Sequence, residues 1–148
     1  MKIALRYGLL VTAVVVAWVL VVRVALGVGA DSKVNLLGFI LFSMTQIAAI
    51  FLGMRARKNE LSGDLSFKEG LRTGVAISFV YAASACLFFA IESLLAGPKL
   101  LLSETGANAG PLWQVAAKAY AGLFLGSLFF GLFYSTIISF VLAKRRTE

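Results

Sequence analysis

Four polar or charged side chains interrupt or border the apolar runs of this 148-residue sequence, and they are its first candidates for chemistry. They are Arg23, Gln46, Glu92 and Lys118. In a long apolar run such groups can line a path for protons or solutes. A proton relay needs further titratable groups in the same run, and Glu92 has neither a second carboxylate nor a histidine beside it. We therefore expect Glu92 to form a cluster with Arg23 or Lys118.

Gln46 stands near the middle of its apolar run and is the most deeply placed strongly polar side chain. Such a residue commonly makes a hydrogen bond to a neighbouring helix, worth roughly 0.6–2 kcal/mol. We expect its partner to be Thr12, Ser78 or Ser84. The alternative is that Gln46 lines a path for a solute or a proton.

The residue types that most enzymes use are scarce in this chain. It has no histidine and one cysteine, Cys86, so it holds no familiar zinc ligand set and no Ser–His pair. No apolar run holds two carboxylates for general acid–base chemistry, and no glycine-rich phosphate loop follows a strand pattern. We predict no enzyme, no cofactor and no metal site, and we expect Cys86 to be a small packing residue.

Long apolar runs must position all of these residues. The chain is 60% hydrophobic and 14% charged, whereas soluble domains are about 45–50% apolar and roughly a quarter charged. A helix of about 20 apolar residues crosses the roughly 30 Å of membrane hydrocarbon. We predict an all-α fold, a four-transmembrane-helix bundle with short loops, in one membrane domain over residues 1–148. The helices are expected at about 4–26, 34–54, 66–95 and 111–143.

Lysine and arginine are unevenly distributed between the two ends of these helices. Ten lie at the N-terminus, in the turn after the second run or at the C-terminus: Lys2, Arg6, Arg55, Arg57, Lys58, Lys68, Arg72, Lys144, Arg145 and Arg146. Four lie on the other side: Arg23, Lys33, Lys99 and Lys118. Because cytoplasmic loops carry the excess of basic residues, we predict a multi-pass protein of the bacterial cytoplasmic (inner) membrane with both termini cytoplasmic.

The net charge of +7 does not predict a nucleic-acid partner, because the basic residues stand at the ends of apolar runs. The predicted partner is the lipid bilayer. Six cations are candidates for contacts with anionic headgroups: Arg55, Arg57, Lys58, Lys144, Arg145 and Arg146.

The first run also has the features of a secretory signal peptide. It begins with basic residues, and the small residues "VGA" precede Asp31 as in a cleavage site. The run is long, however, and Arg23 interrupts it before that site. We therefore expect a retained helix, with removal as a signal peptide as the alternative.

The segment between the second and third runs, "RARKNELSGDLSFKEGLRTG", is polar and has the composition of a turn in residues 59–64. Ser66 and Glu69 follow at the spacing of a capping box. We expect the Ser66 hydroxyl to cap the third helix and the Glu69 carboxylate to reach back to the Ser66 N–H.

This segment and the opening "KIALRYGLL" resemble a bacterial family of small four-helix membrane proteins, a domain of unknown function numbered four-one-nine-nine. The resembling residues are Tyr7-Gly8, Gly63, Ser66-Phe67, Gly70 and Gly74. The resemblance implies a four-helix membrane fold and a membrane location. It implies no activity and no catalytic residues.

Rows of small residues four apart indicate where helices pack, because close backbone approach drives helix association in lipid. The third run has the row Gly70, Gly74, Ser78, Ala82 and Cys86. The fourth has the row Ser127, Gly131, Ser135, Ser139 and Ala143, and a separate pair, Gly122 and Gly126. We predict that the third and fourth helices pack together, with the alternative that one row faces another copy of the protein.

These observations favour a non-enzymatic accessory or structural membrane protein that packs with itself or with a larger assembly. The first alternative is a small oligomeric transporter or channel that uses Gln46. The second is a regulator that responds to lipid or membrane stress through the basic face.

Overall fold

The chain forms long α-helices throughout the part that the computed structural model describes, which is residues 1–22, 32–96 and 111–143. The helices are α1 (Lys2–Leu20), α2 (Ser32–Glu60), α3 (Phe67–Ala96) and α4 (Leu112–Leu142). Each one is long and apolar enough to cross a membrane, and only 28–33% of its most apolar stretch is buried inside the protein. The predicted all-α fold, with four helices that are long and apolar enough to span a membrane, is therefore confirmed, and these helices indicate a multi-pass membrane protein.

Helix α2 continues past the end of its apolar run. It was expected to end near Met54 with a turn from Asn59, but it runs to Glu60, so that expectation was wrong. Apolar side chains are needed only inside the bilayer, whereas the helix itself continues as long as its residues favour helical geometry. Arg57 lies one turn before Glu60, and its Nη1 atom is 2.8 Å from Glu60 Oε2, an exposed ion pair within the last turn.

The end of α2 is a Schellman motif. Gly63 N–H donates to the Lys58 carbonyl at 2.9 Å, and Ser62 N–H donates to the Asn59 carbonyl at 3.2 Å. Ser62 and Gly63 have φ values of 55° and 95°. Their left-handed backbone reverses the chain, and the next apolar side chain, Leu65, is buried in the bundle.

Helix α3 begins with the predicted serine. The Ser66 hydroxyl accepts the Glu69 N–H at 3.2 Å and lies 3.2 Å from Glu69 Oε2, to which it donates. The carboxylate was expected to reach the Ser66 N–H, but it accepts from the hydroxyl instead. The first turn of α3 thus has one backbone donor satisfied by the serine side chain.

Successive helices run antiparallel, and α1 and α4 lie on opposite sides of the α2–α3 pair. The start of α1, the α2–α3 turn and the end of α4 therefore lie at one end of the bundle. We call this the basic end, because it carries Lys2, Arg6, Arg55, Arg57, Lys58, Lys68 and Arg72. Lys58 ties two helices together there by donating from Nζ to the Leu142 carbonyl at 3.0 Å.

The interior is small and partly polar, while bulky apolar side chains face outward. The buried polar residues are Thr12, Gln46, Ser78, Ser135 and Ser139. One apolar cluster contains Val11, Val15, Ala49, Tyr81 and Ala85, and a second contains Ile50, Met54, Leu65, Ile77 and Ile138. Since large side chains such as Phe129 and Phe140 are mostly exposed, the outer surface suits lipid rather than water.

Candidate functional site

Glycine and serine alternate across the α3–α4 interface, which is the most extensive in the bundle. A Cβ atom at Gly74 would collide with Ser135, and one at Gly70 would lie 2.7 Å from Ser139 Oγ. A Cβ atom at Gly131 would collide with Ser78. We call these residues the Gly–Ser seam: Gly70, Gly74, Ser78, Gly131, Ser135 and Ser139. Each glycine opens a hole that only a small side chain from the other helix can fill.

The serines of the seam serve mainly as small knobs. Ser78 Oγ donates back to the Gly74 carbonyl of its own helix at 3.0 Å, and Ser139 Oγ contacts Met54 Sδ at 3.5 Å. Ser135 Oγ is buried and has no hydrogen-bond partner among the described residues. An unsatisfied buried hydroxyl is unfavourable, so the presence of Ser135 is better explained by its size than by hydrogen bonding.

Gln46 links three helices at the middle of the bundle. Its Nε2 atom donates to the Ser127 carbonyl of α4 at 3.1 Å and lies 3.4 Å from Ser78 Oγ of α3. Ser78 was one of its three expected partners. A Cβ atom at Gly131 would lie 3.1 Å from Nε2, so this glycine clears the space through which the amide reaches α4.

The Ser127 carbonyl was not anticipated from the sequence, although a signal for it exists. A carbonyl at position i points towards residue i+4, whose side chain normally covers it. Gly131 occupies that position for Ser127 and has no side chain. A glycine four residues after a carbonyl, facing a glutamine on another helix, would have indicated this bond.

The other two expected partners of Gln46 bond to each other. Thr12 Oγ1 and Ser84 Oγ are 2.6 Å apart and join α1 to α3. Close approach at this point depends on Gly8, where a Cβ atom would lie 2.7 Å from Val80 Cβ. The interface between α1 and α3 therefore combines a close approach at a glycine with a hydrogen bond between two hydroxyls.

The α3–α4 interface changes character away from the basic end. Ala82 is fully buried, and Cys86 is a half-buried free thiol whose Sγ lies 3.7 Å from the Tyr120 carbonyl. The Tyr120 hydroxyl lies 3.0 Å from Ser93 Oγ and 3.3 Å from the Phe89 carbonyl. In this part of the interface the Tyr120 side chain reaches from α4 to α3, whereas glycine and serine make the contacts nearer the basic end.

Gly122 and Gly126 do not take part in this interface. Apart from the adjacent residues and the nearby backbone of α4 itself, no atom of the described residues lies within 4 Å of a Cβ atom built on either glycine. Gly122 stands nine residues before Gly131, which at 3.6 residues per turn is a rotation of about 180° around α4. The pair therefore lies on the outward face of the helix, opposite the Gly–Ser seam.

Of the two expected partners of Glu92, only Lys118 lies within the described residues. Glu92 is half-buried near the end of α3, while Lys118 is exposed on α4 and makes no ion pair with it there. Arg23 lies outside the described residues, so the expected pairing of Glu92 with Arg23 stays a prediction. Lys118 is thus a surface cation rather than a partner of Glu92.

The candidate headgroup cations differ in whether they already bond to other groups of the protein. Arg55 is exposed, whereas Arg57 pairs with Glu60 and Lys58 bonds to the Leu142 carbonyl. The remaining three lie outside the described residues: Lys144, Arg145 and Arg146.

One known protein family matches this chain over most of its first three helices. The model of the family described as "Protein of unknown function (DUF4199)" matches residues 6–95, which is more than half of the chain. The chain belongs to the DUF4199 family. No curated protein and no solved structure matches it. The matched residues run from α1 to the last turns of α3, so they include the α3 side of the Gly–Ser seam and not its α4 side.

The arrangement of polar groups in this DUF4199 member fits helix packing better than chemistry. Gln46, Thr12 and Ser84 bond across helices. Among residues 1–22, 32–96 and 111–143, no three His, Cys, Asp or Glu side chains lie together as metal ligands would. What the described residues provide is a set of close helix contacts inside the bundle and one glycine pair outside it.

Proposed function

We propose that this chain is a non-enzymatic accessory or structural protein of the bacterial cytoplasmic membrane that packs with itself or with a larger membrane assembly. The observation that carries the proposal is the outward position of Gly122 and Gly126 on α4. The interior seam already has its serine partners. The outward pair has none within the described residues.

Two glycines one turn apart on a lipid-facing surface permit a second helix to come close. Helix association in lipid depends on such van der Waals contact between backbones, because lipid tails are as apolar as leucine. The neighbouring Leu125 and Phe129 are 63% and 68% exposed. They would form the walls of the shallow trough that the glycines leave, and a partner helix would bury them.

The interior supports a structural role over a transport role. The amide nitrogen of Gln46 donates to two other helices, which restrains it in place. Transporter sites are commonly built from helices broken inside the membrane, whereas α2, α3 and α4 are continuous over 29, 30 and 31 residues.

The proposal includes the orientation of the chain and its organisation as one membrane domain over residues 1–148. The basic end would face the cytoplasm, because basic residues are retained on that side during insertion. Both termini would then be cytoplasmic.

The association is tested by replacing Gly126 with leucine. Copies labelled with donor and acceptor dyes are reconstituted in lipid vesicles, and energy transfer between them is measured at several protein-to-lipid ratios. We expect the wild type to show transfer beyond that of random mixing, and Gly126→Leu to reduce it to the random level. The fold should be retained, since open space surrounds the Gly126 position.

The matched control is Ala121→Leu, which adds a leucine at an exposed position of α4 on a different side of the helix. It should leave energy transfer unchanged. A partner protein could take the place of the second copy, so co-purification from gently solubilised membranes is measured with the same variants. The proposal is wrong if neither self-association nor any co-purifying membrane protein depends on Gly126.

The orientation is tested with single cysteines in a Cys86→Ala background. Asn59→Cys marks the basic end and Trp113→Cys the opposite end, and both positions are exposed. A membrane-impermeant maleimide added to intact spheroplasts should label position 113 and leave position 59 unlabelled until the membrane is opened. The reverse pattern would contradict the proposed orientation.

A further inference from the structure

An apolar groove lies between α1 and α3 at the basic end of the bundle. Its volume is about 610 Å³, within the range of roughly 300–1,000 Å³ that is typical of small-molecule sites. Its floor and walls are hydrocarbon, from residues such as Leu5, Val75, Ala76 and Phe79. Two cations, Lys2 and Arg72, also line it, each close to the start of its helix.

The position of the groove limits what can fill it. Leu5 and Phe79 are 55% and 53% exposed on its walls, so the groove opens onto the lipid-facing surface. Water gains little in a cavity without polar partners. An acyl chain is the apolar molecule that surrounds this surface, and it matches the lining.

The charges at the groove select among lipids. None of the described side chains that line it is acidic. Within the described residues neither Lys2 nor Arg72 forms an ion pair. The Arg72 guanidinium can bind a phosphate through two parallel hydrogen bonds, while Lys2 acts as a point charge. This pair of cations complements a negatively charged headgroup.

We propose that the groove is a binding site for one anionic phospholipid. One acyl chain lies along Val75, Ala76 and Phe79, and the phosphate is bound by Lys2 and Arg72. The site is separate from Gly122 and Gly126, which lie on α4, so it does not depend on the proposed association.

The lipid would also hold the bundle together. The groove is formed by two helices that already approach closely at Gly8 and Val80. A ligand that binds only the docked arrangement stabilises it by mass action. We therefore expect the stability of the folded chain to rise with the concentration of anionic lipid.

The binding test uses the full chain purified in detergent, with native mass spectrometry to follow the titration of phosphatidylglycerol. Phosphatidylcholine with the same acyl chains is titrated in parallel. We expect one phosphatidylglycerol to bind more tightly than phosphatidylcholine. Lys2→Gln and Arg72→Gln should each weaken phosphatidylglycerol binding about fivefold, the effect of removing one cation near an anionic lipid, and should weaken phosphatidylcholine binding less, because the choline cation offsets the charge of its phosphate.

Two further variants separate the groove from general surface charge. Ala76→Leu fills the groove without changing its charge and should weaken the binding of both lipids. Arg55→Gln removes an exposed cation at the basic end that does not line the groove, and it should change neither affinity. Thermal unfolding of each variant without lipid shows whether its fold is retained, and Lys2 and Arg72 are both exposed.

Three outcomes would overturn the proposal. The first is equal affinity for the two lipids, and the second is a loss in Arg55→Gln as large as that in Arg72→Gln. The third is that the water-soluble headgroup glycerophosphoglycerol competes with phosphatidylglycerol at equal concentration, which would indicate a phosphate site without a role for the acyl chain. If Ala76→Leu does not fold, the two glutamine variants still decide between these outcomes.

Discussion

Helix α4 carries three glycines that look alike in the sequence. In the structure one of them faces another helix, and the other two face away from it. Gly131 lies against Ser78, and a single added methyl group would collide with it. At Gly122 and Gly126 no described atom of another helix lies within 4 Å of where a side chain would begin. A small residue in a membrane helix therefore indicates that another helix can come close at that point. The side of the helix on which the residue lies decides whether that neighbour belongs to the same bundle or to another molecule.

The two sets also differ in what a substitution would disturb. Next to Gly131 lie the Ser78 side chain and the Gln46 amide, so its surroundings involve α2, α3 and α4 together. Around Gly126 no described residue of another helix would be displaced. The following substitutions test this difference, from the largest expected effect to the smallest.

The largest loss of stability is expected from Gly74→Leu in the Gly–Ser seam. Its side chain would collide with Ser135 and Met54, which are both completely buried. Overpacking of this kind commonly costs 1–3 kcal/mol and sometimes more, and we expect about 3 kcal/mol or more because backbone must move. Unfolding by SDS in mixed micelles measures the free energy. Gly122→Leu is the control, and an equal loss in both variants would remove the distinction between seam and outward face.

A smaller loss is expected from Gly131→Ser, about 2 kcal/mol, because the new side chain meets Ser78. The loss should be largely reversed in the double variant Gly131→Ser with Ser78→Gly, which exchanges the knob and the hole between α4 and α3. The same unfolding measurement gives the coupling energy between the two sites. Purely additive effects would show that the two residues do not interlock.

Gln46→Leu should reduce stability by about 1 kcal/mol, the scale of interhelical hydrogen bonds in membranes. Most of this loss should come from the bond to the Ser127 carbonyl, since the contact with Ser78 is longer. Ser78→Ala should therefore show little coupling to Gln46→Leu in a double-variant cycle. Flux through reconstituted vesicles should be the same for wild type and Gln46→Leu, and a difference in flux would favour the transporter alternative.

The smallest effect on folding is expected from the double variant Gly122→Ala with Gly126→Ala. Neither methyl group meets a described atom, and alanine is the better helix former by about 1 kcal/mol in water. We expect no loss of folding stability and a measurable fall in energy transfer between labelled copies. A fall in stability comparable to that of Gly131→Ser would show that this face is already covered by the same chain.

Much of the fold follows from local properties of the sequence. The apolar runs predicted four membrane-spanning helices because bilayer thickness sets a fixed minimum length for each of them. The end of α2 was missed because Asn59 and Glu60 are polar and resemble a turn, while the ion pair between Arg57 and Glu60 lies within a helix. Polarity marks where the membrane ends, which is not always where a helix ends.

The candidate site was predictable only in part, and the reason is geometrical. Small residues four apart identified the faces of α3 and α4, and Ser78, one of the three hydroxyls expected as a partner of Gln46, is in contact with it. The Ser127 carbonyl was missed because a backbone acceptor has no residue type of its own. The Lys2–Arg72 groove was also out of reach, since those residues lie 70 positions apart and meet only because α1 and α3 run parallel.

By itself, the sequence determined that the chain has four helices long and apolar enough to cross a membrane, because helix length, apolarity and small-residue spacing are properties of each helix alone. Only the tertiary structure decided which glycines of α4 face inward and which cations share a groove. Those facts depend on how far each helix is rotated about its own axis. That rotation is set jointly by every contact in the bundle, and no single segment of the sequence encodes it.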